Sequence, residues 1–404
     1  MKLLAIHGGT PVAVGQFIET AWPPVCEATA EKLKQLYLSR AWSFNSPKEQ
    51  EFEQAFAAYH GAKHGIFMAN GTVTLECALT ALGIGPGDEV IVPALTWIAT
   101  AAAVKYVGAK VVFADIDPLT AALAPAAFEE QITTRTKAVI PVHLYGGMAD
   151  LDHIIAIAQK HHLAVVEDCA HMQGGKWRDR GVGAWGDVGS FSFQQSKTLS
   201  GGESGICLTN DDKLAELLYR TKHIGYSRYD QQGQAGTPPP PGLLCHNYRG
   251  LAFPAQILLD QLDELPALLD RYNAFTDRLR ELTGDIAGFR VQAPGRMASP
   301  QGYYACGLIF DGPEWDGIPK TRFLQALRAE GIMGINGTYG PAYKHLLFNL
   351  HEKDYRNSGC PTAERLSEQM LVLMHWHMSH RANADALASA ILKIADNRKE
   401  LHEC

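Results

Sequence analysis

The chain has 404 residues, 46% of them hydrophobic and 20% charged, with a formal net charge of −7. That length suffices for two domains and a large buried core, and the composition is that of an ordinary globular protein. The acidic balance, with no run of Lys and Arg, argues against a nucleic-acid or anionic-membrane surface.

At the N-terminus the apolar run Leu3–Ile6 is too short for a secretory core, and no stretch approaches the ~20 apolar residues of a membrane span. Eight Cys lie scattered without a C-x-x-C pair, as expected of reduced, mostly buried thiols in a cytoplasmic protein. From residue 60 to about 220, short apolar runs alternate with helical stretches. The predicted strands are Gly65–Ala69, Glu89–Pro93, Lys110–Ala114, Lys137–Val142, Leu163–Glu167, Val188–Phe193 and Gly205–Thr209. Most are β-branched and apolar on successive residues, as strands buried on both faces tend to be. Helices are predicted around Thr72–Leu82, Trp97–Val107, Pro125–Ile132 and Leu151–His161. The alternation implies an α/β sandwich on a largely parallel sheet. Tyr226–Leu243, with four consecutive prolines, reads as an exposed excursion. Pro254–Thr283 then reads as a helix interrupted at Pro266. Tyr303–Phe310 as strand, with Lys320–Glu330 and Asn383–Asn397 as helices, suggests a smaller α+β domain. The division expected is 1–255 for the N-terminal segment and large domain, and 256–404 for a linking helix and the small domain.

Four segments carry chemistry at proposed strand ends. Ala69-Asn70-Gly71-Thr72 offers helix-start N–H groups and a hydroxyl that suit a phosphate, although a plain helix cap explains it equally well. Trp97 follows the next strand and suits stacking on a planar ring, although most such Trp are core. Asp168 directly follows the strand Leu163–Glu167, at the end where α/β sheets bind ligands; alone, it reads more often as a capping or surface residue. Lys197 follows Ser190–Phe193 in a glycine-rich turn, where burial would lower its pKa and make it nucleophilic. Gly181-Val-Gly-Ala-Trp-Gly186 matches G-x-G-x-x-G, but a polar, charged segment precedes it, so a dinucleotide site is not expected. His375-Trp-His377-Met-Ser-His380 lacks partner ligands at metal spacing, and no metal is expected.

Taken together, Glu167-Asp168-Cys169-Ala170-His171, Phe191-Ser192-Phe193-x-x-x-Lys197 and His246-Asn247-Tyr248-Arg249 carry a resemblance. The chain resembles the sugar aminotransferases of the DegT/DnrJ/EryC1/StrS family, within the fold-type-I pyridoxal 5′-phosphate (PLP) superfamily. The resemblance spans nearly the whole chain from Gly8-Gly9-Thr10-Pro11 onward. It implies that Lys197 carries PLP as a Schiff base and Asp168 pairs with the pyridine nitrogen. Trp97 would stack on the ring and His171 lie near the phenolic oxygen. Gly71, Thr72 and Ser192 would hold the phosphate, with Asn247 reaching it from the partner of a homodimer. The chain departs from the family's Gly-Glu-Gly-Gly with Gly202-Glu203-Ser204-Gly205, and from its usual polar continuation with Gly250-Leu251-Ala252-Phe253-Pro254.

Phe193-Gln194-Gln195-Ser196-Lys197 is most similar to relatives acting on inososes or making aminohydroxybenzoate, so a keto-cyclitol is the expected acceptor and Gln or Glu the donor. His143, Tyr145, Gln194 and Gln195 are candidates for binding ring hydroxyls. A nucleotide-linked keto-sugar is the alternative acceptor. Related dehydratases replace the lysine with histidine, and a non-catalytic member would be expected to lose Asp168 or Lys197; both residues are present.

Overall fold

Buried β-branched runs stack into an eight-stranded sheet in the computed structural model, which describes residues 3–44, 46–231, 233–346 and 351–402. The first strands are β1 (His64–Met68), β2 (Glu89–Pro93), β3 (Lys110–Ala114), β4 (Thr136–Val139) and β5 (Ala164–Asp168). A small ribbon, β6 (Lys176–Trp177) and β7 (Arg180–Gly181), precedes β8 (Val188–Ser192) and β9 (Gly205–Thr209). Beyond lie β10 (Phe289–Val291), β11 (Ala305–Phe310), β12 (Ile335–Gly337), β13 (Tyr355–Asn357) and β14 (Met370–Met374).

The large sheet runs β1-β9-β8-β5-β4-β2-β3-β13. Only β9 opposes the common direction, pairing antiparallel with both β1 and β8. The reversal follows from the connection: residues 193–204 hold no helix, and a parallel return needs a long crossover. Lys197 lies in that connection. The carboxyl ends of β1, β2, β5 and β8 open on one side, where open α/β sheets bind ligands.

Helices α1 (Glu27–Ser39), α2 (Pro47–His60), α3 (Gly71–Ala81), α4 (Ala99–Tyr106), α5 (Pro125–Glu130), α6 (Leu151–Lys160) and α7 (Asp212–Lys222) belong to this part of the chain. The expected Trp97–Val107 helix begins at Ala99, leaving Trp97 in a turn and half exposed. β4 stops at Val139 instead of Val142, two residues ahead of Pro141, which has no N–H to extend the ladder.

Helix α8 (Ala252–Thr283) is continuous, correcting the interruption expected at Pro266. Its buried face, with Leu258, Leu262, Leu265, Leu269, Tyr272, Phe275 and Leu279, anchors it to the core along its whole length. Pro266 faces solvent, where water can satisfy the carbonyl that loses its partner. After α8, an antiparallel sheet β10-β11-β14-β12 packs with α9 (Lys320–Ala329), α10 (Pro361–Gln369) and α11 (Ala382–Asp396). β13 leaves this group to pair in parallel with β3 at the edge of the large sheet. Tyr226–Leu243 forms no regular element over its described residues, and its prolines lie at the surface. Seven cysteines are free, five of them buried; Cys404 lies outside the described residues. Among the described residues no helix is long and apolar enough to cross a membrane.

Candidate active site

A cavity of about 860 Å³ lies at the carboxyl ends of the strands. Its lining brings together Gly71, Thr72, Trp97, Asp168, His171, Ser192, Gln194 and Lys197, eight residues singled out in the sequence. At one end, Asn70 caps α3 by accepting hydrogen bonds from the N–H groups of Thr72 and Val73 at 3.0 and 3.1 Å. The cap therefore consumes two of the donors that the sequence suggested for an anion, leaving the Gly71 N–H and the hydroxyls of Thr72 and Ser192. Gly71 is required here: a Cβ would lie 2.5 Å from Ser192 Cβ. Gln173 fixes Ser192 from below, donating to its carbonyl at 2.6 Å.

Asp168 ends β5 almost fully buried. Thr100 Oγ1 donates to its Oδ2 at 2.8 Å, and the Ala170 N–H to Oδ1 at 3.2 Å. Burial raises the carboxyl pKa, against those two hydrogen bonds and the charge of Lys197. Burial likewise pushes Lys197 down to about 8, although Asp168 and Glu203 favour its charged form. His171 accepts from the Tyr145 N–H at Nδ1 (3.2 Å). Its pKa is held well below the ordinary value by burial and then by Lys197 and His375. The ring is thus neutral, with its proton on Nε2.

Three expected substrate contacts lie elsewhere. His143 is fully buried beneath the site, accepting from the Ala149 N–H and facing Glu167 at 3.5 Å. Tyr145 is also buried, its hydroxyl accepting from Thr338 Oγ1 and the Tyr339 N–H. Gln195 points away from the cavity, exposed, while its carbonyl accepts from Trp22 Nε1. Of the four candidates only Gln194 lines the cavity, with Ser196 and Lys197 further along the same turn. Asn247 is exposed and outside its own chain's cavity.

The sequence passed over Tyr304, Tyr339 and Glu76, which line the cavity, and Thr100, which donates to Asp168 behind it. Thr100 had a faint signal, since it repeats Thr96 at helical spacing and their hydroxyls meet at 3.0 Å. Tyr304 and Tyr339 come from remote parts of the chain and had none.

The G-x-G-x-x-G segment does form an anion cradle, but its anion is internal. Gly183, Trp185 and Gly186 donate their N–H groups to the Glu167 carboxylate at 2.8, 2.8 and 2.7 Å. The buried His143–Glu167–Cys169 group has metal-like proximity. Both Glu167 oxygens are already committed to N–H donors, so the group reads as a hydrogen-bonded core cluster. His375, similarly, is a buried brace whose ring nitrogens meet Tyr272 Oη and the Ser196 carbonyl.

A buried lysine and a buried strand-end carboxylate in one cavity, with hydroxyls and a Cβ-free approach at its far end, suit a PLP-dependent enzyme of fold type I. The chain belongs to the DegT/DnrJ/EryC1/StrS aminotransferase family, whose model matches residues 25–392. It is 35% identical to L-glutamine:2-deoxy-scyllo-inosose aminotransferase of Streptoalloteichus tenebrarius, over 98% of this chain and 99% of that one. It is 34% identical to a putative L-glutamine:3-amino-2,3-dideoxy-scyllo-inosose aminotransferase of Micromonospora echinospora, over 98% and 97%. Among solved structures, 3-amino-5-hydroxybenzoic acid synthase superposes with a TM-score of 0.83 at 28% identity, covering 93% of this chain and 99% of that one. The protein is a PLP-dependent aminotransferase.

Proposed function

We propose that the chain transfers the amino group of Gln or Glu to a keto-cyclitol of the inosose type, in the biosynthesis of an aminocyclitol such as those built into antibiotics. The observation that carries this reading is the charge of the cavity. Lys197 is its one Lys or Arg among the described lining residues, while Glu76, Asp168 and Glu203 are acidic. Such a wall suits a neutral polyol better than a nucleotide diphosphate, which calls for fixed cations. Lys176, Arg178 and Arg180 lie on the β6–β7 ribbon, outside the cavity, and Arg178 is paired with Asp152.

PLP, when bound, supplies an electron sink for the pair released at the donor carbon. Lys197 would hold the cofactor covalently, and Gly71, Thr72 and Ser192 would hold its phosphate. Asp168 would keep a proton on the ring nitrogen by charge pairing, and His171 would offer its Nε2–H to the phenolic oxygen. Once free, the Lys197 amine moves a proton to and from the donor carbon. With a pKa of about 8 it is unprotonated in roughly a tenth of molecules at pH 7, far more than an ordinary lysine.

A homodimer is part of this reading. Tyr37 stacks on Trp42 at 5.2 Å and Trp42 meets Phe253 at 6.2 Å. Tyr37 and Trp42, with Leu244 and Leu251 on the segments flanking Asn247, leave apolar surface exposed. A second copy covering that surface would bring Asn247 to its neighbour's phosphate end. The seven free thiols among the described residues support a cytoplasmic setting.

The test offers ketones to the enzyme loaded with pyridoxamine phosphate (PMP) and follows recovery of the Schiff-base absorbance. 2-Deoxy-scyllo-inosose should restore it, and glutamine should reverse it. Recovery with a nucleotide-linked keto-sugar but with no cyclitol would overturn the assignment.

A further inference from the structure

Among the described residues the Lys197 amine makes no hydrogen bond or ion pair; its one directed contact is the face of Tyr304, with Nζ 4.4 Å from the ring centroid. That ring is held on several sides. Its hydroxyl meets Ser196 Oγ at 3.0 Å, and its plane stacks on His171 with centroids 3.9 Å apart and 17° between planes. Its N–H donates to the Tyr145 carbonyl at 3.0 Å. Ser196 is itself fixed: its N–H and hydroxyl donate to Gln194 Oε1, and its carbonyl accepts from His375 Nε2. The ring is therefore tethered to the residue preceding Lys197 in sequence, so lysine and ring keep their relation if the turn moves.

We propose that Tyr304 is a positioning residue that docks the Lys197 ammonium on its ring whenever the lysine is released from the cofactor. The inference rests on reading Lys197 as the cofactor-bearing lysine. A free lysine has four rotatable bonds and, in this cavity, strong anionic competitors: Asp168 at the end of β5 and Glu203 in the glycine-rich turn. An ammonium captured by Asp168 would neutralise the carboxylate needed at the ring nitrogen. The Tyr304 face offers attraction without a proton acceptor of that strength, and keeps the amine within the cavity. The other titratable groups around the amine are His171 and His375, both held neutral by burial, and Tyr339, whose hydroxyl burial pushes well above its ordinary range. None of these supplies a competing charge.

The test uses the full-length enzyme loaded with PMP, in which Lys197 is free, and reads the lysine directly. The pH dependence of reductive methylation at Lys197 is measured by peptide mass. The series is wild type, Tyr304→Phe, and phenylalanines at 304 carrying successively more fluorines, which drain the ring face while keeping its shape. Docking favours the charged amine and so raises its pKa; weakening the face must lower the midpoint. Tyr304→Phe should stay near wild type, and the most fluorinated ring should fall by about half a pH unit or more, the equivalent of an ordinary cation–π contact. A flat series, or one that rises with fluorination, overturns the proposal. Borohydride fixation of PLP at a lysine other than 197 would instead overturn the underlying site reading, and the two failures are distinguishable.

Discussion

Burial raises the Asp168 pKa while Thr100 Oγ1 and the Ala170 N–H hold the charged form in place. Asp168→Asn should leave PLP bound but slow both half-reactions by ~100-fold or more, because an amide cannot keep the ring proton by charge pairing. Single-turnover kinetics at saturating cofactor check this, and near-wild-type rates would remove Asp168 from that role. Thr100→Val should act in the same direction and more weakly, by ~10-fold, the scale of one hydrogen bond to a charged group. Losing that donor raises the carboxyl pKa further, so the acid limb of the pH–rate profile should move to higher pH. The cavity positions of Asp168 and Lys197 were legible in the sequence because Asp168 ends a recognisable strand, Lys197 lies in the turn that follows one, and each sits in a motif. Thr100, Tyr304 and Tyr339 were not, since what matters about them is which remote atom they meet. His143 and Tyr145 show the converse: side chains placed close to the site by sequence turn beneath it, where backbone N–H groups take their polar atoms.

The strand positions of the large sheet were readable because fully buried parallel strands leave continuous apolar runs, and Glu89–Pro93, Lys110–Ala114 and Gly205–Thr209 match to the residue. β13 was not, being three residues long and half-exposed, with its pairing to β3 set by tertiary packing. Pro266 misled for a local reason overridden by the apolar face of α8. At the start of α3, Asn70→Ala should cost about 1 kcal/mol as a lost cap. It also frees the Thr72 and Val73 N–H groups toward the cavity, so thermal stability should fall more than PLP affinity does. Glu167 gives an element-scale pH prediction. His143 and the N–H groups of Gly183 and Gly186 lower its folded pKa against the cost of burial. The stability it contributes is therefore present above the ordinary carboxylate range and lost as pH falls through the lowered value. Melting temperatures measured from neutral pH downward should drop more steeply for wild type than for Glu167→Gln, which starts lower and has no such charge to lose.

For the molecule, the cavity of one chain is short of cations, and Asn247 stands outside its own chain's site. If the partner completes the phosphate end, Asn247→Ala and Lys197→Ala damage different halves of a composite site. Mixing the two inactive parents then gives heterodimers with one doubly damaged site and one intact. Random exchange should restore activity towards about a quarter of wild type. Subunit exchange verified by labelled mixtures, with no regain of activity, would assign Asn247 to its own subunit.

The Glu167 carboxylate also has a meaning at this scale. In many folds a glycine-rich loop of the same spelling is an open socket for a borrowed nucleotide. Here a plug made by the chain itself fills it during folding, next door to the residue that ends β5. The loop has no affinity left to offer, so the cell's redox nucleotides gain no handle on Asp168 through it.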